Sequence, residues 1–238
     1  MNNPSVFKTV RNMPRNIVGI VITTFNRPEE LQKTFDCLAL TKWDINNKYF
    51  IVVIDDKSTD LQTIKLVNDF NLPKKNIEII KIFNDRNMQM FNSLRKGFDL
   101  CMRNDCNILC NLDSDVILKP YWLLAILRLH FYFPGNLVTG ININTHFFTE
   151  ETKFRKKGYC VKVASGGINI MFSRDIYVHY VRPAFDKGLN WDNSIYGQTW
   201  YCCLPSVIDH NGLNSTVSRS GKNHTVASDF DNFDYIWD

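Results

Sequence analysis

The sequence predicts an α/β fold: a mostly parallel sheet flanked by helices, in one domain with a smaller, less regular second part. Three observations predict it. Apolar, β-branched runs at Ile17–Ile22, Tyr49–Ile54 and Asn107–Leu112 have the pattern of strands covered on both faces. Segments with helical spacing separate them, so successive strands need crossovers, which makes them parallel with right-handed connections. Each run also ends in a short polar cluster.

Taken in order, Ile17–Ile22 is the first strand and Thr23–Pro28 a turn. Pro28 opens a helix, Glu29 and Glu30 suit its positive end, and Leu31, Thr34, Phe35 and Leu38 repeat at helical spacing. Tyr49–Ile54 is a second strand ending at Asp55-Asp56; Ser58–Asp60 caps a helix over Leu61–Phe70. Asn76–Phe83 is a third strand, Met90–Met102 a helix and Asn107–Leu112 a fourth strand. Tyr121–Phe133, interrupted by Arg128 and His130, is predicted as a buried amphipathic helix, with a membrane-surface helix as its alternative.

The second half is less regular. Leu137–Asn144 is an expected strand. Tyr159–Ala164 and Ile168–Phe172 are expected to pair around the Gly166-Gly167 bend, and Tyr196–Cys203 is helix or strand. Thr149–Lys157 and Thr216–His224 are expected loops, and the tail after Val226 is acidic and aromatic.

A chain of 238 residues buries enough surface to need no disulfides. Its net charge of +4 favours small anionic ligands and excludes the electrostatic footprint of a nucleic-acid binder. Seven cysteines, an odd number without a Cys-x-x-Cys pair, suggest reduced, buried thiols and a cytoplasmic protein rather than a zinc site. Met1–Asn16 is polar and basic, unlike a signal peptide, and at most peripheral membrane contact is expected.

In an open parallel sheet, ligands bind at the carboxyl ends of the strands. Thr23–Arg27, Asp55-Asp56 and Asp113–Asp115 all fall there. Side chains alternate along a strand, so Asp113 and Asp115 share a face and offer hard oxygen ligands for a divalent cation. Such a cation bridges a diphosphate, and a carboxylate after the second strand accepts hydrogen bonds from a base or ribose. Together they suit a nucleotide diphosphate sugar.

The order Val-Ile-Thr-Thr-Phe-Asn-Arg-Pro, Ile-Val-Val-Ile-Asp-Asp-Lys-Ser-Thr-Asp and Asn-Leu-Asp-Ser-Asp resembles the GT-A glycosyltransferases, which are Rossmann-like, and especially their family 2. The resemblance covers Ile17 to Pro120 and implies a nucleotide-sugar half over 17–120 and an acceptor half over 121–238 of a single 1–238 domain. It implies that Thr23, Asn26 and Arg27 line the base and ribose pocket. Asp56, with Asp55 as the alternative, would hold the base, and Arg95 would face the diphosphate. Asp113 would contact ribose or metal, and Asp115 would bind the metal, Mn²⁺ or Mg²⁺. Pro205–Gly212 resembles a late segment whose histidine, here His210, completes the metal shell; His224 is a second candidate.

Ala164–Arg174 resembles the glycine-containing strand lining the acceptor side. Phe185-Asp186 followed by Trp191-Asp192 resembles the region supplying the catalytic base. That region often carries two adjacent acids; Trp191 stands at the first, leaving Asp192 as the base and Asp186 as the fallback. The activity the resemblance implies is a metal-dependent, inverting sugar transfer, with a UDP-sugar as donor and a saccharide or other glycoconjugate as acceptor. Two other readings remain. A nucleotidyltransferase also uses paired carboxylates but expects a glycine-rich first loop, and Thr23–Pro28 has no glycine. A non-catalytic nucleotide- or carbohydrate-binding protein on the same fold is compatible with Trp191.

Overall fold

A computed structural model describes residues 16–143, 158–163, 165–189, 195, 198–210, 227 and 229–230. The first half alternates strand and helix: β1 (Ile17–Thr24), α1 (Pro28–Leu40), β2 (Lys48–Asp55), α2 (Leu61–Asp69), β3 (Ile77–Phe83), α3 (Gln89–Arg103) and β4 (Ile108–Asp113). β5 (Val116–Leu118), α4 (Trp122–Tyr132), β6 (Leu137–Thr139), β7 (Tyr159–Lys162) and β8 (Asn169–Ser173) follow. α5 (Arg174–Ile176) continues through a π-helical turn (Tyr177–Val181) into α6 (Arg182–Asp186), and β9 (Trp200–Cys203) and β10 (Ile208–His210) complete the described elements.

Eight strands form the main sheet in the order β3-β2-β1-β4-β8-β6-β9-β7. β3, β2, β1 and β4 are mutually parallel, as the apolar runs predict. β8 is antiparallel to β4 and to β6, β9 is parallel to β6, and β7 is antiparallel to β9. The sheet is therefore mostly parallel, with two reversed strands in its second half.

Strand periodicity divides the core. Val18, Ile20, Ile22, Ile51 and Val53 face α1, α2 and α4, while Val21, Val52 and Ile54 face α3 and the α5–α6 segment. Two glycines bring α3 onto β1: a Cβ on Gly97 would stand 2.3 Å from Val21 Cγ1, and one on Gly19 would stand 2.7 Å from Cys101 Sγ. α1 starts with Pro28 in its first turn, and the Asp60 carboxylate caps α2 by accepting from the Thr63 N–H at 2.6 Å. α4 is the predicted buried helix, its apolar face filling the layer over β6, β8 and β9. All seven cysteines are free thiols, and all but the half-buried Cys37 are buried. Among the described residues no helix is long and apolar enough to cross a membrane.

Two expectations need correction. Tyr159–Ala164 and Ile168–Phe172 do not form a hairpin: β7 pairs with β9, and β8 inserts between β4 and β6. Side-chain bonds fix β8 there. Asn169 Nδ2 donates to the Asn111 carbonyl at 2.9 Å, and the Ile170 N–H donates to Asn111 Oδ1 at 2.8 Å. The strand expected over Leu137–Asn144 stops at Thr139, because the Gly140 carbonyl turns to accept the Val207 and Ile208 N–H groups instead. Of the segment Tyr196–Cys203, expected as helix or strand, Trp200–Cys203 is strand. Thr149–Lys157 and Thr216–His224 lie outside the described residues.

Candidate functional site

β1 pairs with β2 on one side and β4 on the other, so the chain order reverses at β1. Open α/β sheets bind ligands outside the carboxyl ends of their strands at such a reversal. The register brings the strand-end clusters level: Thr23 lies opposite Asp113, and Thr24 opposite Asp55.

Beyond β4 the chain turns through Ser114 and Asp115 into β5. β5 is clamped to α1 by Thr34, whose Oγ1 donates to the Val116 carbonyl at 3.0 Å and accepts the Val116 N–H at 3.1 Å. Its other edge pairs with β10, so that Val116 is opposite His210. This short ribbon delivers His210 to the carboxylates. One ligand atom from each of Asp113, Asp115 and His210 lies within 4.8 Å of the other two.

Asp115 is buried, at 3% exposure. Its Oδ2 pairs with the Arg27 guanidinium, and its Oδ1 is 3.2 Å from His210 Nε2. Burial pushes the Asp115 carboxyl up; the hydrogen bond and charge of His210 and the charge of Arg27 outweigh it, and the group is held below the usual carboxylate range. Asp113 is half-buried, and its backbone N–H donates to the Ile168 carbonyl at 3.0 Å, which ties the site to the glycine bend before β8.

The donor set fits a divalent metal. Two carboxylates and an imidazole suit Mn²⁺ or Mg²⁺ better than a thiophilic ion. His210 Nε2 stands 3.2 Å from Asp115 Oδ1, close enough for the two to serve one cation together with Asp113.

The cluster after β2 is rigid. Asp56 Oδ1 accepts from Asn84 Nδ2 at 2.8 Å, the Met88 N–H at 2.9 Å and Ser93 Oγ at 2.9 Å. Asp55 Oδ2 accepts the Ser58 N–H at 3.0 Å, whereas its Oδ1 is buried without a hydrogen-bond partner. Thr24 Oγ1, on the residue opposite, is also buried and unpartnered. Asn26 joins the first cluster to the second: its Oδ1 accepts the Thr59 and Asp60 N–H groups at 2.8 and 3.0 Å, and its own N–H donates to Ser58 Oγ at 2.9 Å. Its φ of +50° is one that asparagine tolerates better than most residues. Asn26 thereby acts as a brace between loops.

Sequence reasoning missed Asn84 and Ser93. Asn84 is the first residue past β3, a fourth polar strand end that the same rule would have found. Asn84 also accepts from Lys96 Nζ at 2.8 Å. Arg95 and Asp186, expected in separate roles, pair with each other at 2.6 Å, and Asp186 takes a second guanidinium from Arg182 at 3.3 Å. Asp192 and His224 lie outside the described residues.

A family model described as glycosyl transferase family 2 matches residues 19–185, more than half of the chain. The chain belongs to glycosyl transferase family 2. Its fold is accordingly GT-A, and the family makes it a glycosyltransferase in general, working with a nucleotide-sugar donor and an acceptor. Family 2 often uses a divalent metal, and the Asp113–Asp115–His210 cluster is a candidate site for one. The match includes all three strand-end clusters and ends before Asp186; His210 lies beyond it and is brought to the carboxylates by the geometry. No curated protein matches the chain.

Proposed function

We propose that this family 2 enzyme transfers a sugar from a nucleotide diphosphate sugar, with a UDP-sugar as the first candidate, to a hydroxyl of a saccharide or other glycoconjugate, with inversion and with Mn²⁺ or Mg²⁺. The observation that carries this reading is the convergence of Asp113, Asp115 and His210 at the strand-order reversal.

In this reading residues 17–120 hold the donor and 121–238 the acceptor. Asp56, fixed by three donors, holds the base, and Thr23, Arg27 and Asp55 line the pocket that Asn26 braces. Asp113, Asp115 and His210 would hold the cation, which supplies Lewis-acid charge for the departing nucleotide diphosphate. Arg27, already on Asp115, adds a second positive charge beside that leaving group. Asp192 is the proposed base. Its carboxylate takes the acceptor hydroxyl proton as the acceptor oxygen bonds to the anomeric carbon and the bond to the diphosphate oxygen breaks. The Arg95–Asp186 pair favours Asp192 over Asp186, whose carboxylate already engages two guanidiniums.

The test is a thermal-shift screen of nucleotide sugars with and without Mn²⁺, followed by donor turnover. The expected result is one donor class that stabilises the protein only with the cation, and turnover lost in Asp115→Ala. Full turnover in that variant, or in excess EDTA, would overturn the metal-dependent reading.

A further inference from the structure

The end of the sheet opposite the carboxylates has its own chemistry. Two of the large apolar side chains most exposed among the described residues lie there: Leu40 (70%) at the end of α1 and Ile45 (81%) before β2. A groove of about 390 Å³ opens between the loop leading into β2 and the outer side of α4, lined by Trp43, Ile45, Leu124, Leu127, Arg128 and Phe131 among others. The indole N–H of Trp43 is buried and has no hydrogen-bond partner.

Cations surround this apolar surface. Lys42 and Lys48 are exposed on either side of Ile45. Lys74 and Lys75 are exposed in the loop before β3, which is bonded to the Ile45 loop through Asn76 Nδ2 donating to the Asp44 and Asn47 carbonyls at 3.1 and 3.0 Å. Arg128 lies half-buried in the groove wall. The acid in the loop, Asp44, has its carboxylate taken up by Asn46 and Asn47.

We propose that this edge docks on an anionic membrane surface. Exposed aliphatic tips flanked by lysines, with Trp43 beside them, match an interfacial lipid contact: the tips enter the acyl boundary and the ammonium groups meet phosphates. An acidic protein partner would satisfy the lysines but not isolated tips such as Ile45, and a second copy would set five cations against five. The groove takes an acyl chain.

The orientation has a consequence. The candidate site is at the far end of the strands; β1 has eight residues, about 25 Å at roughly 3.3 Å per residue. A protein docked by this edge presents its carboxylates to the aqueous side, so the acceptor reaches the site from solution and not from the bilayer on which the protein rests. The docking surface shares no residue with the proposed site and stands or falls separately from it.

The test is co-sedimentation of the full chain with vesicles of phosphatidylcholine alone and of phosphatidylcholine mixed with phosphatidylglycerol, at low and high salt. The proposal expects binding roughly tenfold or more tighter to the anionic vesicles, weakened by salt. Ile45→Asp and the pair Lys74→Glu, Lys75→Glu are each expected to lower it roughly tenfold at unchanged melting temperature, and Ile45→Trp to raise it. Equal partition to neutral and anionic vesicles, or unchanged binding in the folded variants, overturns the proposal. So does a dimer that Ile45→Asp dissociates in a protein that ignores both kinds of vesicle.

Discussion

His210 Nε2 lies 3.2 Å from Asp115 Oδ1, although the two residues belong to distant parts of the chain, because β10 pairs with β5 immediately after the second carboxylate. The pair predicts a specific metal phenotype. Asp115→Ala and His210→Ala each remove one of three convergent ligands, so each should weaken Mn²⁺ binding by at least the roughly 10–100-fold that loss of an outer-shell partner costs. Calorimetry with Mn²⁺ and no sugar nucleotide reads this directly. Wild-type affinity in both variants would show that the cluster is not a metal site.

Gly140 controls the position of His210 from behind. Its carbonyl accepts the Val207 and Ile208 N–H groups, and a Cβ added there would stand 2.7 Å from Ile208 Cγ1 and Cδ1. Gly140→Ala should therefore cost about 1–3 kcal/mol by overpacking. It should also displace β10 and weaken Mn²⁺ binding, although Gly140 is not a ligand. Urea unfolding and the same calorimetry separate the two effects; a destabilised variant with unchanged Mn²⁺ affinity would mean that β10 yields without moving His210.

The parallel half of the fold was legible for a physical reason. Strands such as Ile17–Thr24 are covered on both faces, so their apolar runs are continuous and stand out, and the polar residues that end them stand out equally. β5 and β10 have three residues each, too few for any periodicity, and their pairing depends on contacts distant in sequence. The glycines at 166 and 167 signal a bend but not which strands flank it, and the buried amides of Asn111 and Asn169, which place β8, look like ordinary polar residues. The carboxylates of the candidate site were visible in the chain; the network holding Asp56 was not, because Ser93 sits on a helix facing inward.

Gly97 predicts a coupled pair. Alanine is the better helix former by roughly 1 kcal/mol, so an unhindered Gly97→Ala in α3 would stabilise the protein. Here the new Cβ would stand 2.3 Å from Val21 Cγ1 on the packed face of β1. The clash should win, with a net loss of about 1–3 kcal/mol. In a Val21→Ala background the methyl has room, and the same substitution should become neutral or stabilising. A double-mutant cycle by urea unfolding measures the coupling, and additive effects would mean that α3 shifts away from β1 at little cost.

His130 predicts how stability changes with acid. It lies in α4 with 6% exposure, and its Nδ1 is buried without a hydrogen-bond partner. Burial pushes its pKa from 6.5 down to about 4. Above pH 6.5 the imidazole is neutral in both the folded and unfolded chain, and the group adds no pH dependence. Between pH 6.5 and about 4 the unfolded chain binds a proton that the folded one refuses, so stability falls as the pH falls. At about 1.4 kcal/mol per pH unit the full loss is about 3.5 kcal/mol, a large share of a typical domain's stability. His130→Leu keeps the apolar packing and removes the proton, so its urea midpoint should change less than that of the wild type over this window. Parallel pH profiles for the two proteins would mean that His130 takes up its proton in the folded state, which requires α4 to open toward water.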